Sequence, residues 1–108
     1  MATTYDMSMV RGDTFAFQLT FHDVNWVIDS LTFTIKKRRE DKHVIVQKTL
    51  GDGITQTGEY EYVVRVAPED TRGVSRGTYK YDVQLGTGDD IYTLFMGDLE
   101  IEKDVTDN

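Results

Sequence analysis

Apolar and polar positions alternate with a period of two through most of this chain. From Thr14 onward, Phe15, Phe17, Leu19 and Phe21 alternate with Ala16, Gln18 and Thr20. That period places four large apolar side chains on one face of an extended strand. Leu31, Phe33 and Ile35 alternate with Thr32, Thr34 and Lys36 and predict a second strand. A third, of mixed pattern, covers 43–50 and ends in the turn Gly51-Asp52-Gly53. Tyr60, Tyr62, Val64 and Val66 predict a fourth strand, and Tyr79, Tyr81, Val83 and Leu85 a fifth. Gly86 to Asp90 reads as a hairpin loop. Residues 91–96 and 99–103 read as the closing strands, with Gly97 marking a bulge or kink between them. Pro68-Glu69-Asp70-Thr71 favours a single helical turn, because proline suits its first position and acids meet its positive end. Trp26, Val27 and Ile28 form a short apolar patch expected to tuck under the core. One domain over 1–108 is expected, with 1–10 and 104–108 as flexible tails.

Composition strengthens the β reading. Val, Ile, Thr, Tyr, Phe and Trp supply 43 of the 108 residues, whereas Ala and Leu supply 9. Branching at Cβ and aromatic bulk suit a pleated surface and disfavour a helical bundle. About seven or eight strands in a domain of this size predict an all-β fold, an immunoglobulin-like two-sheet antiparallel sandwich. A small barrel is the alternative. The run from Pro68 to Val83 passes from a proline-led turn to a tyrosine opening a strand. In immunoglobulin-like domains a tyrosine at such a corner bonds back to the backbone. Tyr79 is either that residue or an ordinary half-buried strand tyrosine. Inward-facing Phe17 predicts a loss of roughly 3–5 kcal/mol on truncation to alanine.

Charge and chemistry narrow the function. Cysteine is absent, so disulfide and thiolate chemistry are excluded. No apolar run reaches the length of a membrane span, and residues 1–10 lack the features of a secretory signal, so folding in a cytoplasm is expected. The net charge of −7 argues against nonspecific nucleic-acid binding. The excess is local: residues 82–108 hold eight acids against the single base Lys103. Asp52, Asp89 and Asp90 sit in glycine-bearing loops without a calcium-loop spacing, and turn formation accounts for them. His22 and His43 have no zinc-type partners at close spacing. Ser8, Ser30 and Ser75 lie in no nucleophile elbow, and no phosphate-binding glycine loop occurs. The expectation is a non-enzyme without cofactors. Arg11-Gly12-Asp13 spells an adhesion tripeptide, but three residues match often by chance, and glycine easing the chain into its first strand explains them. Two charged stretches remain as candidate interaction surfaces. One is the basic turn Lys36, Lys37, Arg38 and Arg39. The other is the acidic stripe Asp98, Glu100, Glu102 and Asp104. The stripe serves either solubility or docking on a basic neighbour, and the basic turn of another copy is one such neighbour.

Several stretches together resemble a known family: RGDTFAFQLTF (11–21), LTFTIKK (31–37), GDGIT (51–55), APEDTRGVSRGTYKYDVQL (67–85) and YTLFMGDLEIEKDVT (92–106). Their order and spacing are similar to the N-terminal domain of the upper baseplate protein of tailed bacteriophages that infect Gram-positive bacteria, and to related small phage and prophage tail proteins. The resemblance covers about 10–106. It implies an immunoglobulin-like sandwich and a non-catalytic place in the virion tail, with assembly in the host cytoplasm. The implied partners are other tail and baseplate proteins or further copies of the chain. Unpaired edge strands, with residues 1–10 and 103–108 free to add strands to them, are the expected means of assembly. A second reading is a soluble immunoglobulin-like module for carbohydrate or cell-surface recognition, using Trp26, Tyr60, Tyr62, Tyr79, Tyr81 and Tyr92 as aromatic platforms.

Overall fold

A computed structural model describes residues 3–22 and 27–104. The fold is all-β. Nine strands occur among the described residues: β1 (Thr3–Thr4), β2 (Met7–Val10), β3 (Phe15–Thr20), β4 (Ser30–Lys36), β5 (Val46–Leu50), β6 (Gly53–Gly58), β7 (Glu61–Val66), β8 (Gly77–Thr87) and β9 (Asp90–Glu102). A single helical turn, α1 (Pro68–Thr71), separates β7 from β8. They form one hydrogen-bonded sheet in the order β1-β9-β8-β4-β5-β6-β7-β3, with β2 also pairing along β9. The sheet curls, so that Phe17 near one end packs edge-on against Phe33 on β4, ring centroids 5.4 Å apart.

The period-two pattern puts the core where alternation requires. Leu31, Phe33 and Ile35 on β4, Val64 and Val66 on β7, Val83 and Leu85 on β8, and Leu99 and Ile101 on β9 are all buried. At ~25 cal/mol per Å2, each such side chain contributes about 1.5–3 kcal/mol toward folding. On β3 the expected four-residue face is buried at Leu19 only; Phe15, Phe17 and Phe21 are half-buried. The reason is position. Among the described strands, β3 pairs with β7 alone, so one flank of its apolar row is open.

Other expectations change in detail. The first ten residues are not a free tail where they are described. β1 and β2 run parallel to β9, with Met7 opposite Leu99 and Val10 opposite Glu102. Met9 is consequently buried. Asp104 is also held, by an ion pair to Arg11 at 3.1 Å; residues 105–108 lie outside the described residues. The third strand begins at Val46 rather than at 43. Tyr60 is not in a strand. It takes a positive φ of 59° in the turn between β6 and β7, where a tight reversal demands it. Val27 is exposed rather than tucked under the core, Ile28 is half-buried and packs against it as expected, and Trp26 lies outside the described residues.

The closing strand is continuous through Gly97. The irregularity lies at Leu94, where Val83 faces Phe95 but Gln84 faces Thr93, leaving one extra residue on β9. Gly97 has a different duty. A Cβ there would collide with the carbonyl of Tyr5, which crosses directly over it between β1 and β2. Tyr81, its cross-strand partner, sends its hydroxyl to that same Tyr5 carbonyl. The β8–β9 hairpin turns on Gly88 at φ 59°, the sign that tight hairpin turns require.

Around α1 the sequence reading holds. Proline is at its first position, and the Asp70 carboxylate accepts the Ala67 N–H at 2.7 Å. Buried Thr71 uses Oγ1 to accept the Gly12 N–H at 2.9 Å, tying α1 to the turn Arg11-Gly12-Asp13. Tyr79 is buried and donates its hydroxyl to the Ser75 carbonyl at 2.5 Å. That is the bond back to the backbone sought at this corner.

Candidate functional site

The fold partly joins the two charged stretches, with Lys36, Asp98, Glu100 and Glu102 on strands, Lys37, Arg38 and Arg39 in the turn after β4, and Asp104 just beyond β9. On the outward face, Lys36 of β4 stands opposite Lys80 of β8, and Lys80 opposite Asp98 of β9. Two facing lysines repel. Lys80 relieves this by pairing with Asp98. In the next row Asp82 sits beside Lys36 and Arg39 in a shallow recess of about 280 Å3. Burial pushes the Asp82 carboxyl up, and the neighbouring Lys36 and Arg39 only partly oppose that. Arg39 also reaches the Met96 sulfur at 3.6 Å.

The remaining candidates are divided. Lys37 places its ammonium 4.6 Å from the centre of the Tyr79 ring. Arg38 pairs with Asp41 inside its own turn at 3.3 Å. Asp104 is held by Arg11. Glu100 and Glu102 point outward and are exposed, on the strand whose Leu99 and Ile101 point inward. Much of the basic turn and of the acidic stripe is thus engaged within one chain. Glu100 and Glu102 are the part of the stripe left facing solvent.

Aromatic platforms fare similarly. Tyr62, Tyr79 and Tyr81 are buried, Tyr60 is half-buried and in its turn, and Tyr92 is half exposed. Tyr5, not considered from the sequence as a platform, is 61% exposed. Among the described residues no three His, Asp or Glu side chains converge as a metal site would need. No helix among them is long and apolar enough to cross a membrane.

A larger feature was not legible in the sequence. A cleft of about 500 Å3 separates β2 from β3 and is lined by Asp6, Met7, Phe15, Phe17, Leu19 and Phe95, among others. A second cleft, of about 730 Å3, continues from Phe95 toward Phe21, His22, Asp90 and Tyr92. Together they form a seam between the two ends of the curled sheet. Phe15, Phe17, Leu19, Val83 and Phe95 make the first cleft largely apolar, whereas threonines share the second with Phe21, Leu94 and Phe95. Among the described residues, the seam's charged lining groups are Asp6 and Asp90, with the His22 imidazole in the second cleft, and neither lysine nor arginine lines it. Alternation predicts the apolar row of β3 but could not reveal that, among the described strands, only β7 would pair with it.

No family model matches the chain, and no curated protein matches it. Among solved structures it is similar to part of a candidate glycoside hydrolase from Bacteroides vulgatus, at 20% identity and a TM-score of 0.53. That match covers 96% of this chain but 17% of the other. It is also similar to the extracellular domain of the voltage-gated sodium channel β4 subunit, at 13% identity and a TM-score of 0.47, covering 97% of this chain and 96% of that one. At such identity the likeness to the first is one of fold alone.

Proposed function

We propose that this chain is a non-catalytic assembly module, a structural component of a tailed-phage or prophage virion that works by protein–protein contact at the tail or baseplate. The observation that carries the reading is the seam: an open cleft flanked by the edge of β3, with which only β7 pairs among the described strands. Such a surface suits an extended protein segment better than a small substrate, for which convergent polar groups are wanted. The phage assignment draws on the motif resemblance over about 10–106. Symmetric virion parts need repeated surfaces of this kind.

The finer fold reading belongs with it. In this reading the single hydrogen-bonded sheet folds at the Gly51–Gly53 turn into two layers, β3, β7 and β6 in one and β1 with β2, β9, β8, β4 and β5 in the other. Support comes from the Phe17–Phe33 contact between layers and from the Tyr79 bond to Ser75. An immunoglobulin-like sandwich has this division, with a further strand beside the one that β3 represents. Quantitative mass spectrometry of purified particles tests the function. Several copies per virion are expected, and intact particles lacking the chain would overturn it. A carbohydrate-binding module is the second reading, favoured by the exposed rings of Tyr5 and Tyr92. It predicts that glycan-array binding tracks those two residues.

A further inference from the structure

The open flank of β3 has a definite chemistry. The Phe21 N–H donates to the Tyr60 carbonyl toward β7, at 3.0 Å. Main-chain groups of an antiparallel strand alternate sides residue by residue. Leu19, Phe17 and Phe15 therefore also direct theirs to β7. Ala16, Gln18 and Thr20 direct their N–H and C=O groups to the open flank, where none of the described strands pairs with β3. Beside this flank lies the seam, with half-buried Phe15 and Phe17 along it and Asp6 at its rim.

We propose that the seam is a strand-acceptor site. It takes an extended segment of a partner protein, hydrogen-bonded along Ala16, Gln18 and Thr20. Every second side chain of that segment is apolar and rests on Phe15, Phe17 and Phe95. A lysine or arginine of the segment lies beside Asp6. The inference rests on the assembly reading and names its binding mode. Charge selects the occupant. A second copy would bring a net −7, and a β3 without any cation, to a seam already lined by two carboxylates. A basic partner strand meets complementary charge instead. The six residues of β3 suit a partner strand of ordinary length.

The probe is a synthetic peptide, acetyl-KVTVKVTV-amide, with a twin carrying glutamate in place of lysine. With the full chain, the lysine peptide is expected to slow amide exchange at Ala16, Gln18 and Thr20 by about tenfold or more. The glutamate twin binds about tenfold more weakly at low salt, and the gap narrows as salt is raised. Gln18→Pro removes an edge donor that β7 does not use, a change edge strands tolerate, and is expected to abolish binding. Asp6→Asn retains the oxygen that accepts the Asp98 N–H and is expected to erase the preference for lysine. It decides the matter should Gln18→Pro fail to fold. Protection mapping outside the seam, undiminished binding by folded Gln18→Pro, or no binding of the lysine peptide would overturn the proposal. Particles that incorporate the chain while the peptide fails would leave the assembly reading standing and remove the seam alone. Peptide binding at the seam by a chain absent from particles would do the reverse.

Discussion

Tyr81 joins three parts of the molecule through one side chain. Its ring centroid lies 5.9 Å from that of Phe33 in the core, its backbone faces Gly97 on β9, and its hydroxyl holds the Tyr5 carbonyl between β1 and β2. Burial, then the nearby Asp6 carboxylate and Tyr5, push its phenol from 10.0 to about 12. The folded value is the higher one, so its contribution is complete below pH 10 and is lost as pH rises toward about 12. Urea denaturation across that range is expected to show the loss in the natural chain. In Tyr81→Phe the high-pH loss should be smaller, with about 1 kcal/mol removed at neutral pH. The same residues show what alternation can and cannot give. Tyr81 was legible as inward-facing on its strand. Its hydroxyl partner, 76 positions away, was not, because nothing local marks the crossing of Tyr5 over Gly97.

At the scale of the element, the strands divide by what flanks them. β4 lies between β8 and β5, and its Phe33 is fully buried. β3 has the same clean alternation but one open flank, and its Phe17 is half-buried. The two phenylalanines touch, yet their truncations should differ. Phe33→Ala is expected to cost about 3–5 kcal/mol, the range for a buried aromatic, and Phe17→Ala distinctly less. Equal losses in chemical denaturation would place Phe17 in the closed core after all. The sequence pattern could not distinguish the strands, since facing direction is local whereas flanking depends on which distant strand arrives. α1 was more legible, because its signals are adjacent residues. Asp70 illustrates its wiring: burial raises the carboxyl, but the Lys48 ammonium and the Ala67 N–H outweigh that and hold it below its ordinary range. Its contribution is therefore present above the unfolded value of 3.8 and fades as pH falls further.

Across the whole molecule, the excess acid of residues 82–108 is distributed by the fold rather than left as one patch. Asp98 is paired with Lys80, Asp104 with Arg11, and Asp82 is recessed beside Lys36 and Arg39, while Glu100 and Glu102 face solvent. Both charged stretches were legible as outward-facing, but which members neutralise one another was set by strand order. The seam was illegible for a related reason: it is bounded by β2 and β3, whose separation depends on β2 choosing β9. That choice can be tested as a unit. Removing residues 1–10 uncovers the β9 edge and Leu99, and should lower the melting temperature, whereas a truly free tail would leave it unchanged. The same pairing has a consequence for synthesis. Within this domain β1 and β2 find their register only on β9, so Met7 waits for Leu99. β3 meets β7 earlier in the chain, but the edge made by β1 and β2 closes only once β9 is available, on the slower timescale of non-local β pairing.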